Sequence, residues 1–359
     1  MALRKIRLSI VGFGVVGRWL ADAVHRRRAW LASECDVNIA IVSVATRRDG
    51  FIYCDAGFDI PALLELAASG RPLALYPESR RWESAHSGLQ ATTCDILAEA
   101  SNTNPRVPEP SLSHLQLALA RGTHVITSSK GACAEDALEL MALARRHNAH
   151  FRMESTVMSG TPVLSTIREG LAGSRVIELR GILNGTANYI LTLMAEGHDY
   201  ASALADAQSR GFAEPDPSDD VEGHDVVAKV RVLAAVAFGR SISVDQVVRR
   251  GIADLSLESV QQAVRDEQRI RLVATVRAQM DGNSFSTEKD SVEARVEPIA
   301  LPLSDPLARV NGVMNALVIR TDTVSEVTVI GPGAGREQAA QGMFADLVAV
   351  IRCTAPLSG

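Results

Sequence analysis

The stretch Ile6-Arg7-Leu8-Ser9-Ile10-Val11-Gly12-Phe13-Gly14-Val15-Val16-Gly17 decides how the first half of this chain folds. Its apolar opening, residues 6–11, reads as a buried strand. Val16, Leu20 and Val24 then repeat at helical spacing through Arg28. Three glycines separate the two patterns. Gly12 permits a tight turn, Gly14 lets the backbone approach a bound pyrophosphate, and Gly17 lets helix and strand pack closely. The N-terminus of the helix attracts phosphate charge. Strand, glycine turn and helix in this order read as a dinucleotide-binding unit, against the plainer reading of a tight structural turn.

The alternation continues outward. Residues 37–45, 95–100 and His124–Thr127 read as strands. Ile60–Ala68, residues 111–121 and residues 135–147 read as helices, the last closing on a basic turn as the helix dipole prefers. Strands alternating with helices imply a parallel, doubly wound sheet. From about Phe151 the texture changes. Helical runs at 163–171, 189–196, 200–208 and 226–238 are followed by half-exposed antiparallel strands at 292–298, 316–321 and 325–330. A glycine-rich loop, 331–335, opens a final amphipathic helix ending near Arg352, and the polar stretch 279–289 reads as a surface hairpin.

The chain has 359 residues, enough for about two domains. With 47% hydrophobic and 22% charged residues it has a globular composition, which excludes wholesale disorder. A net charge of −5 provides no basic field to recruit nucleic acid or an anionic membrane. No apolar run approaches the length of a membrane span. The basic start and apolar residues 8–16 imitate a signal peptide, but Gly12, Gly14 and Gly17 interrupt the run. Five widely spaced cysteines without a CxxC pair read as reduced thiols of a cytoplasmic protein, with neither a disulfide frame nor a zinc site.

Of 37 basic residues only four are lysines: Lys5, Lys130, Lys229 and Lys289. An arginine-favouring codon bias explains the count. Its consequence is that a retained lysine can mark a place where the proton must come off, which arginine does not allow. The second strand ends in Ala45-Thr46-Arg47-Arg48, with no acid before Asp49. Two guanidinium groups where an acid would read the ribose hydroxyl favour NADP over NAD; the plainer reading is a pair of solvated charges and an enzyme that takes either. Ser128-Ser129-Lys130-Gly131 follows a strand at the carboxyl edge of the sheet. Lys130 is there either a surface lysine or a proton donor over the cofactor. The segment Gly211–Lys229 holds six carboxylates: Glu214, Asp216, Asp219, Asp220, Glu222 and Asp225. Asp225 and Lys229, four apart, share one helix face ahead of an apolar run. Partly desolvated, such a pair acts as acid or base; exposed, it is an ordinary surface pair. His224 reads as a packing residue, and Asn184-Gly185-Thr186 as a glycosylation sequon without use in a cytoplasmic chain.

Taken together, GFGVVG (12–17), HVITSSKGACA (124–134), FRMESTVMSGTPVL (151–164), RGILNGTANYIL (180–191), GFAEPDPSDDVEGHDVVAK (211–229), DPLARVNGVMNAL (305–317) and GPGAG (331–335) resemble homoserine dehydrogenase over nearly the whole chain. The resemblance implies an α/β fold: a Rossmann-type doubly wound dinucleotide-binding domain, residues 1–152 completed by 331–359, plus an α+β substrate and dimerisation domain, residues 153–330. It implies NAD(P)-dependent interconversion of L-aspartate 4-semialdehyde and L-homoserine by a homodimer, on the route to threonine and methionine. Lys229 matches the family's catalytic lysine, with Asp225 beside it, and Lys130 a second lysine near the nicotinamide. Glu214, with Asp219 or Asp220, would hold the substrate ammonium, and Gly160 and Thr161 would lie against the substrate. The cofactor would meet Gly12, Phe13, Gly14, Val15, Val16, Gly17, Arg47, Arg48, Ser101, Lys130, Gly333 and Gly335. Glu154, Val157, Ser159 and Thr161 resemble a sodium-binding turn.

Three positions depart from the family's pattern: Ser129 replaces Asn, Met158 replaces Gly, and Gln338-Ala339-Ala340 replaces a Thr-Ala pair. Met158 in particular keeps open a paralogous dehydrogenase for another small amino-acid aldehyde or hydroxy acid. A third reading is a protein that senses the cofactor without turnover. The chain ends at Gly359, so the regulatory amino-acid-binding domain of longer relatives is not expected.

Overall fold

The glycine turn is where local sequence and packing meet most directly. In the computed structural model, which describes residues 3–101, 104–279 and 291–355, Gly12 takes φ +92° and lies against the main chain of Ala100 and Ser101. A Cβ at Gly12 would stand 2.3 Å from the Ala100 carbonyl carbon, and one at Gly17 would stand 2.3 Å from the Gly12 oxygen. A Cβ at Gly14 would meet nothing within 4 Å.

The chain divides into two compact units, residues 1–156 with 336–359 and residues 157–335. The first begins β1 (Arg4–Val11), α1 (Val15–Arg26), α2 (Arg28–Cys35), β2 (Val37–Thr46), β3 (Gly50–Tyr53), α3 (Ile60–Ala68), β4 (Arg80–Trp82) and α4 (Ala85–Ala91). It continues β5 (Ile96–Glu99), α5 (Ser111–Ala120), β6 (His124–Thr127), α6 (Lys130–Arg146) and β7 (Phe151–Arg152). The strand order is β4-β3-β2-β1-β5-β6-β7. The direction of winding reverses at β1, whose neighbours β2 and β5 both run parallel to it. The sheet is not wholly parallel, as the alternation predicted. β3 turns back antiparallel on β2, and β4 on β3, because Asp49 and Gly50 (φ +74°) make a tight hairpin that three- and four-residue strands extend. Leu8, Ile10, Ile41, Val44, Ile96 and Ile126 form the core with Leu20 and Val24 of α1. Met343, Leu347 and Val350 of the last helix close the same core.

A short turn, α7 (Ser155–Met158), carries the chain into the second unit. Its elements are β8 (Val176–Ile182), α8 (Gly185–Ala195), α9 (Tyr200–Ser209), α10 (Ser218–Val221), α11 (His224–Phe238), β9 (Val247–Arg249) and α12 (Leu257–Arg265). β10 (Gln268–Gln279), β11 (Ser291–Pro302), β12 (Met314–Thr321) and β13 (Glu326–Pro332) follow, and α13 (Arg336–Cys353) returns to the first unit. The sheet runs β13-β12-β8-β10-β11-β9, antiparallel except for β9 on β11. β10 escapes the sequence pattern because Arg269, Arg271 and Arg277 interrupt its apolar alternation. Arg271 is fully buried and donates to the Ala308 carbonyl and to Asn311. The helix expected at 163–171 is reduced to a short π-helical turn, Thr166–Gly170. The expected loop 331–335 begins inside β13. The hairpin expected at 279–289 lies, apart from Gln279, outside the described residues, as does Lys289. Among the described residues no helix is long and apolar enough to cross a membrane.

Gly12→Ala and Gly17→Ala are expected to destabilise the first unit by on the order of 3 kcal/mol, since a main-chain clash at either, and positive φ at Gly12, leave no relaxed solution. Gly14→Ala is expected to leave thermal stability unchanged. Calorimetric unfolding of the three variants checks this; a Gly12→Ala protein as stable as wild type would refute the close-approach account.

Candidate active site

In the first unit the carboxyl ends of β1, β2, β5 and β6 bring sequence-distant residues to one edge of the sheet, next to the reversal at β1 where α/β sheets bind ligands. The N–H groups of Gly12 and Phe13 both donate to the Ala45 carbonyl, at 3.0 and 2.8 Å, which ties the glycine turn to the end of β2. Phe13 is buried in the core, whereas Val15 is exposed and Val16 half-buried. Gly14 caps α1 without a side-chain acceptor, and the first turn carries no acid. The helix therefore presents main-chain N–H groups beside open space, which fits a pyrophosphate.

The two arginines after β2 differ. Arg48 bonds to Asp49 at 3.4 Å and to the Arg71 carbonyl at 3.3 Å. Arg47 is exposed and bonds to none of the described residues. Asp49 is 5% exposed and holds the Thr46 hydroxyl at 2.9 Å, so it is committed to its own turn and not to a ligand.

At the end of β5, the N–H and the hydroxyl of Ser101 both donate to Glu99. Glu99 is fully buried, 3.6 Å from His114 Nδ1. Glu99 Oε2, His114 Nδ1 and the hydroxyls of Ser128 and Ser129 have no hydrogen-bond partner among the described residues. Four such atoms at one sheet edge are costly unless a ligand or water completes them. Sequence reasoning passed over Glu99 and His114; an acid closing an otherwise apolar strand was the available signal. Lys130 is half-buried and is the first residue of α6, not a loop residue. The helix begins five residues before its predicted start because a kink at Asp136 separates its first turn from the part with helical periodicity. Gly131 is needed there, since a Cβ would lie 2.5 Å from the Val107 oxygen.

In the second unit, α11 begins after Gly223, held at φ +80°, and is buried almost throughout. Asp225 and Lys229 are 6% and 3% exposed, with Lys229 Nζ 2.7 Å from Asp225 Oδ2. The ammonium also donates to the Leu183 carbonyl. The surface-pair reading is thereby excluded. Asn184, the next residue, caps α8 and reaches both Asp220 and Asp225. Burial pushes the Asp220 carboxyl up, Asp225 adds to the rise, and the Asn184 amide and Lys229 oppose it. Asp219 is half-buried on α10 beside Asp220. Glu214 is exposed and its side chain bonds to none of the described residues.

The Ser159 hydroxyl donates to the Gly333 carbonyl at 3.1 Å, and that of Thr161 to the Pro332 carbonyl at 2.9 Å. Ser159 takes φ +51°, and Gly160 is half-buried between the two. Gly333 must be glycine for a reason inside this unit: a Cβ there would overlap the buried Asn315 carboxamide at 1.9 Å. Gly335, at φ +126°, ends the unit. Met158 and Val157 are buried at 0% and 1%, so Met158 exposes no surface on which a substrate could rest. Glu154, in the first unit, is buried and its N–H donates to Asp346. No group of three or more His, Cys, Asp or Glu side chains arranged to hold a metal occurs among the described residues.

Comparison with known proteins places this geometry. Residues 162–348 match the family model described as homoserine dehydrogenase, and residues 12–154 the one described as its NAD binding domain. An NAD(+)-dependent homoserine dehydrogenase of Pseudomonas canavaninivorans is 38% identical over 346 residues, 96% of each chain. The homoserine dehydrogenase of Methanocaldococcus jannaschii is 31% identical over 97% of this chain and 99% of its own. Among solved structures, a homoserine dehydrogenase from Thiobacillus denitrificans superposes with a TM-score of 0.81 at 29% identity, covering 98% of this chain and 74% of that one. A hyperthermophilic archaeal homoserine dehydrogenase in complex with NADPH gives 0.79 at 30% identity, over 98% and 99%. A glycine turn built for a dinucleotide, a buried lysine–aspartate pair and full-length likeness lead to one conclusion: this chain belongs to the homoserine dehydrogenase family, oxidoreductases that act on a CH–OH group with a nicotinamide dinucleotide.

Proposed function

We propose that the chain interconverts L-homoserine and L-aspartate 4-semialdehyde and that Lys229 carries the proton. The observation that carries this reading is the buried ion pair: an ammonium 3% exposed, held by Asp225 and the Leu183 carbonyl. Burying two charges is costly and seldom favours stability over an apolar pair, so such a pair is better explained by chemistry. The nicotinamide supplies hydride to the aldehyde carbon or takes it from the alcohol carbon. In reduction, negative charge grows on the aldehyde oxygen, and the Lys229 ammonium stabilises it and donates the proton. In oxidation, neutral Lys229 accepts the hydroxyl proton. Asp225 holds the amine in place and balances its charge. Glu214, helped by Asp219 or Asp220, supplies a carboxylate for the substrate ammonium, and the role of Lys130 near the nicotinamide rests on the resemblance alone.

NADP is the favoured cofactor, because Arg47 is free for a 2′-phosphate while Asp49 is committed elsewhere. The sodium ion implied at Glu154, Val157, Ser159 and Thr161 rests on the resemblance alone; the all-oxygen donor set suits a hard cation, and turnover in sodium-free potassium buffer tests it, full activity removing the ion from the scheme. A homodimer is supported by apolar exposure near the edge strand, Val324 at 49% and Ile330 at 54%; light scattering returning a monomer mass would overturn it. The cytoplasm suits the five unpaired cysteines.

Lys229→Ala is expected to lower kcat by about 10²- to 10⁴-fold with NADPH affinity retained. Since alanine leaves Asp225 buried and unpaired, Lys229→Arg is the companion variant: it keeps the charge but does not release the proton, and is expected to be as inactive. The assay follows reduced nicotinamide absorbance with homoserine and a panel of other hydroxy amino acids. Turnover of another substrate but not homoserine would displace the substrate assignment, and an active Lys229→Arg would remove the lysine from proton transfer. Arg47→Ala is expected to raise KM for NADPH far more than for NADH, with Arg48→Ala smaller in effect; equal shifts for both cofactors would leave the preference without support.

A further inference from the structure

The Asn184-Gly185-Thr186 triplet, which in sequence has only the form of a glycosylation acceptor, sits beside the buried ion pair. We propose that Asn184 is a positioning residue: its carboxamide holds the Asp225 carboxylate in place against Lys229 and so sets the pH at which Lys229 changes protonation. This rests on the reading of Lys229 as the proton carrier.

Asn184 is 5% exposed, and both its side-chain oxygen and its side-chain nitrogen are engaged. Its Oδ1 accepts from the Ala187 N–H at 2.8 Å, capping α8. That bond fixes the orientation of the amide, because the opposite assignment would set two donors against each other. Nδ2 therefore faces the carboxylates, donating to Asp220 Oδ1 at 2.6 Å and to Asp225 Oδ2 at 3.2 Å. The oxygen it reaches on Asp225 is the one that accepts from Lys229 at 2.7 Å. One acceptor atom is thus shared between the lysine and the amide.

Two consequences follow from elementary electrostatics. Donation to Asp225 favours its ionised form and draws electron density from the oxygen that Lys229 also uses. The amide also separates two carboxylates that would otherwise face each other directly. Asn184 bonds to Asp220 of α10 and Asp225 of α11, and Lys229 of α11 meets the same Asp225 oxygen; no other ionisable side chain among the described residues bonds to Asn184. Asp220 shows the balance, raised by burial and by Asp225 and lowered by the Asn184 bond and by Lys229.

Asn184→Asp is the decisive variant. Aspartate has the same shape and caps α8 equally well, so the fold is retained. It replaces the donor with an acceptor and adds a third carboxyl group. More negative potential makes Lys229 keep its proton to higher pH. Homoserine oxidation needs neutral Lys229, so the acidic limb of its pH–rate profile moves up. We expect a displacement of about one pH unit and, at pH values below the limb, about a tenfold loss of kcat. The thermal midpoint should fall, because a third carboxyl group joins two buried ones, while NADPH affinity should not change. Asn184→Ser, which keeps a capping oxygen but is too short to span both carboxylates, should lower kcat without adding charge.

The measurement is homoserine oxidation by the full chain across the neutral to alkaline range, with unfolding and NADPH titration run in parallel. An Asn184→Asp profile that superimposes on wild type overturns the inference, as does a loss of kcat that is uniform across pH in both folded variants. The Lys229 variants separate the two levels. If Lys229→Arg is active, the underlying reading fails; if it is inactive while the Asn184→Asp limb stays in place, only the positioning role fails.

Discussion

An ammonium group buried at 3% exposure is the constraint on which the second unit turns. Lys229 is held there by Asp225, one helical turn earlier, which supplies the opposite charge, and by the Leu183 carbonyl, which supplies a further acceptor. The carbonyl belongs to the residue after β8, so the lysine links the exit of a central strand to the face of α11. Gly223 makes this possible by starting α11 from a left-handed residue, directly after the short α10 that carries Asp220. If the strand end, α8 or α10 moved, a charge would be left buried without its partner, which costs far more than the pair contributes when complete.

A different kind of constraint governs the first unit. There the demand is for close approach of main chain to main chain. Gly12 touches the end of β5, Gly17 touches Gly12, and the Ala45 carbonyl receives two N–H groups from the turn. Three strand ends are locked together without side chains, which leaves the start of α1 free to face a phosphate. At the same sheet edge lie polar atoms of Glu99, His114, Ser128 and Ser129 that find no partner among the described residues. Rigid backbone and incompletely bonded side chains at the same sheet edge are what a pre-organised ligand site requires.

Charge was used selectively. Of the six carboxylates crowded into the segment before Lys229, Asp220 and Asp225 engage the Asn184 amide, while Glu214 stays exposed. Of the two arginines after β2, one is bound by Asp49 and the other bonds to none of the described residues. The same residue types at adjacent positions therefore do different things, and neighbouring structure makes the choice. Gly333 makes the same point: its lack of a side chain suits a cofactor loop, yet the nearest physical demand on it is the carboxamide of Asn315.

From sequence alone came everything encoded within a few residues: the strand–glycine–helix turn, the four-residue spacing of Asp225 and Lys229, the absence of an acid at the end of β2, and an ordered set of segments specific enough to name the family. The short antiparallel strands β3 and β4, the arginine-interrupted β10 and the early start of α6 were not legible, because three-residue strands have no periodicity and a kink hides the first turn of a helix. Only the tertiary structure decided that the ion pair is buried, that Leu183 and Asn184 bond to it, and that Arg48 is committed while Arg47 bonds to none of the described residues. Those facts depend on groups separated by 36 to 46 positions around Lys229, and by 23 between Arg48 and Arg71. Spacing along a helix reveals which residues share a face; what that face meets depends on chain that has to fold back to reach it.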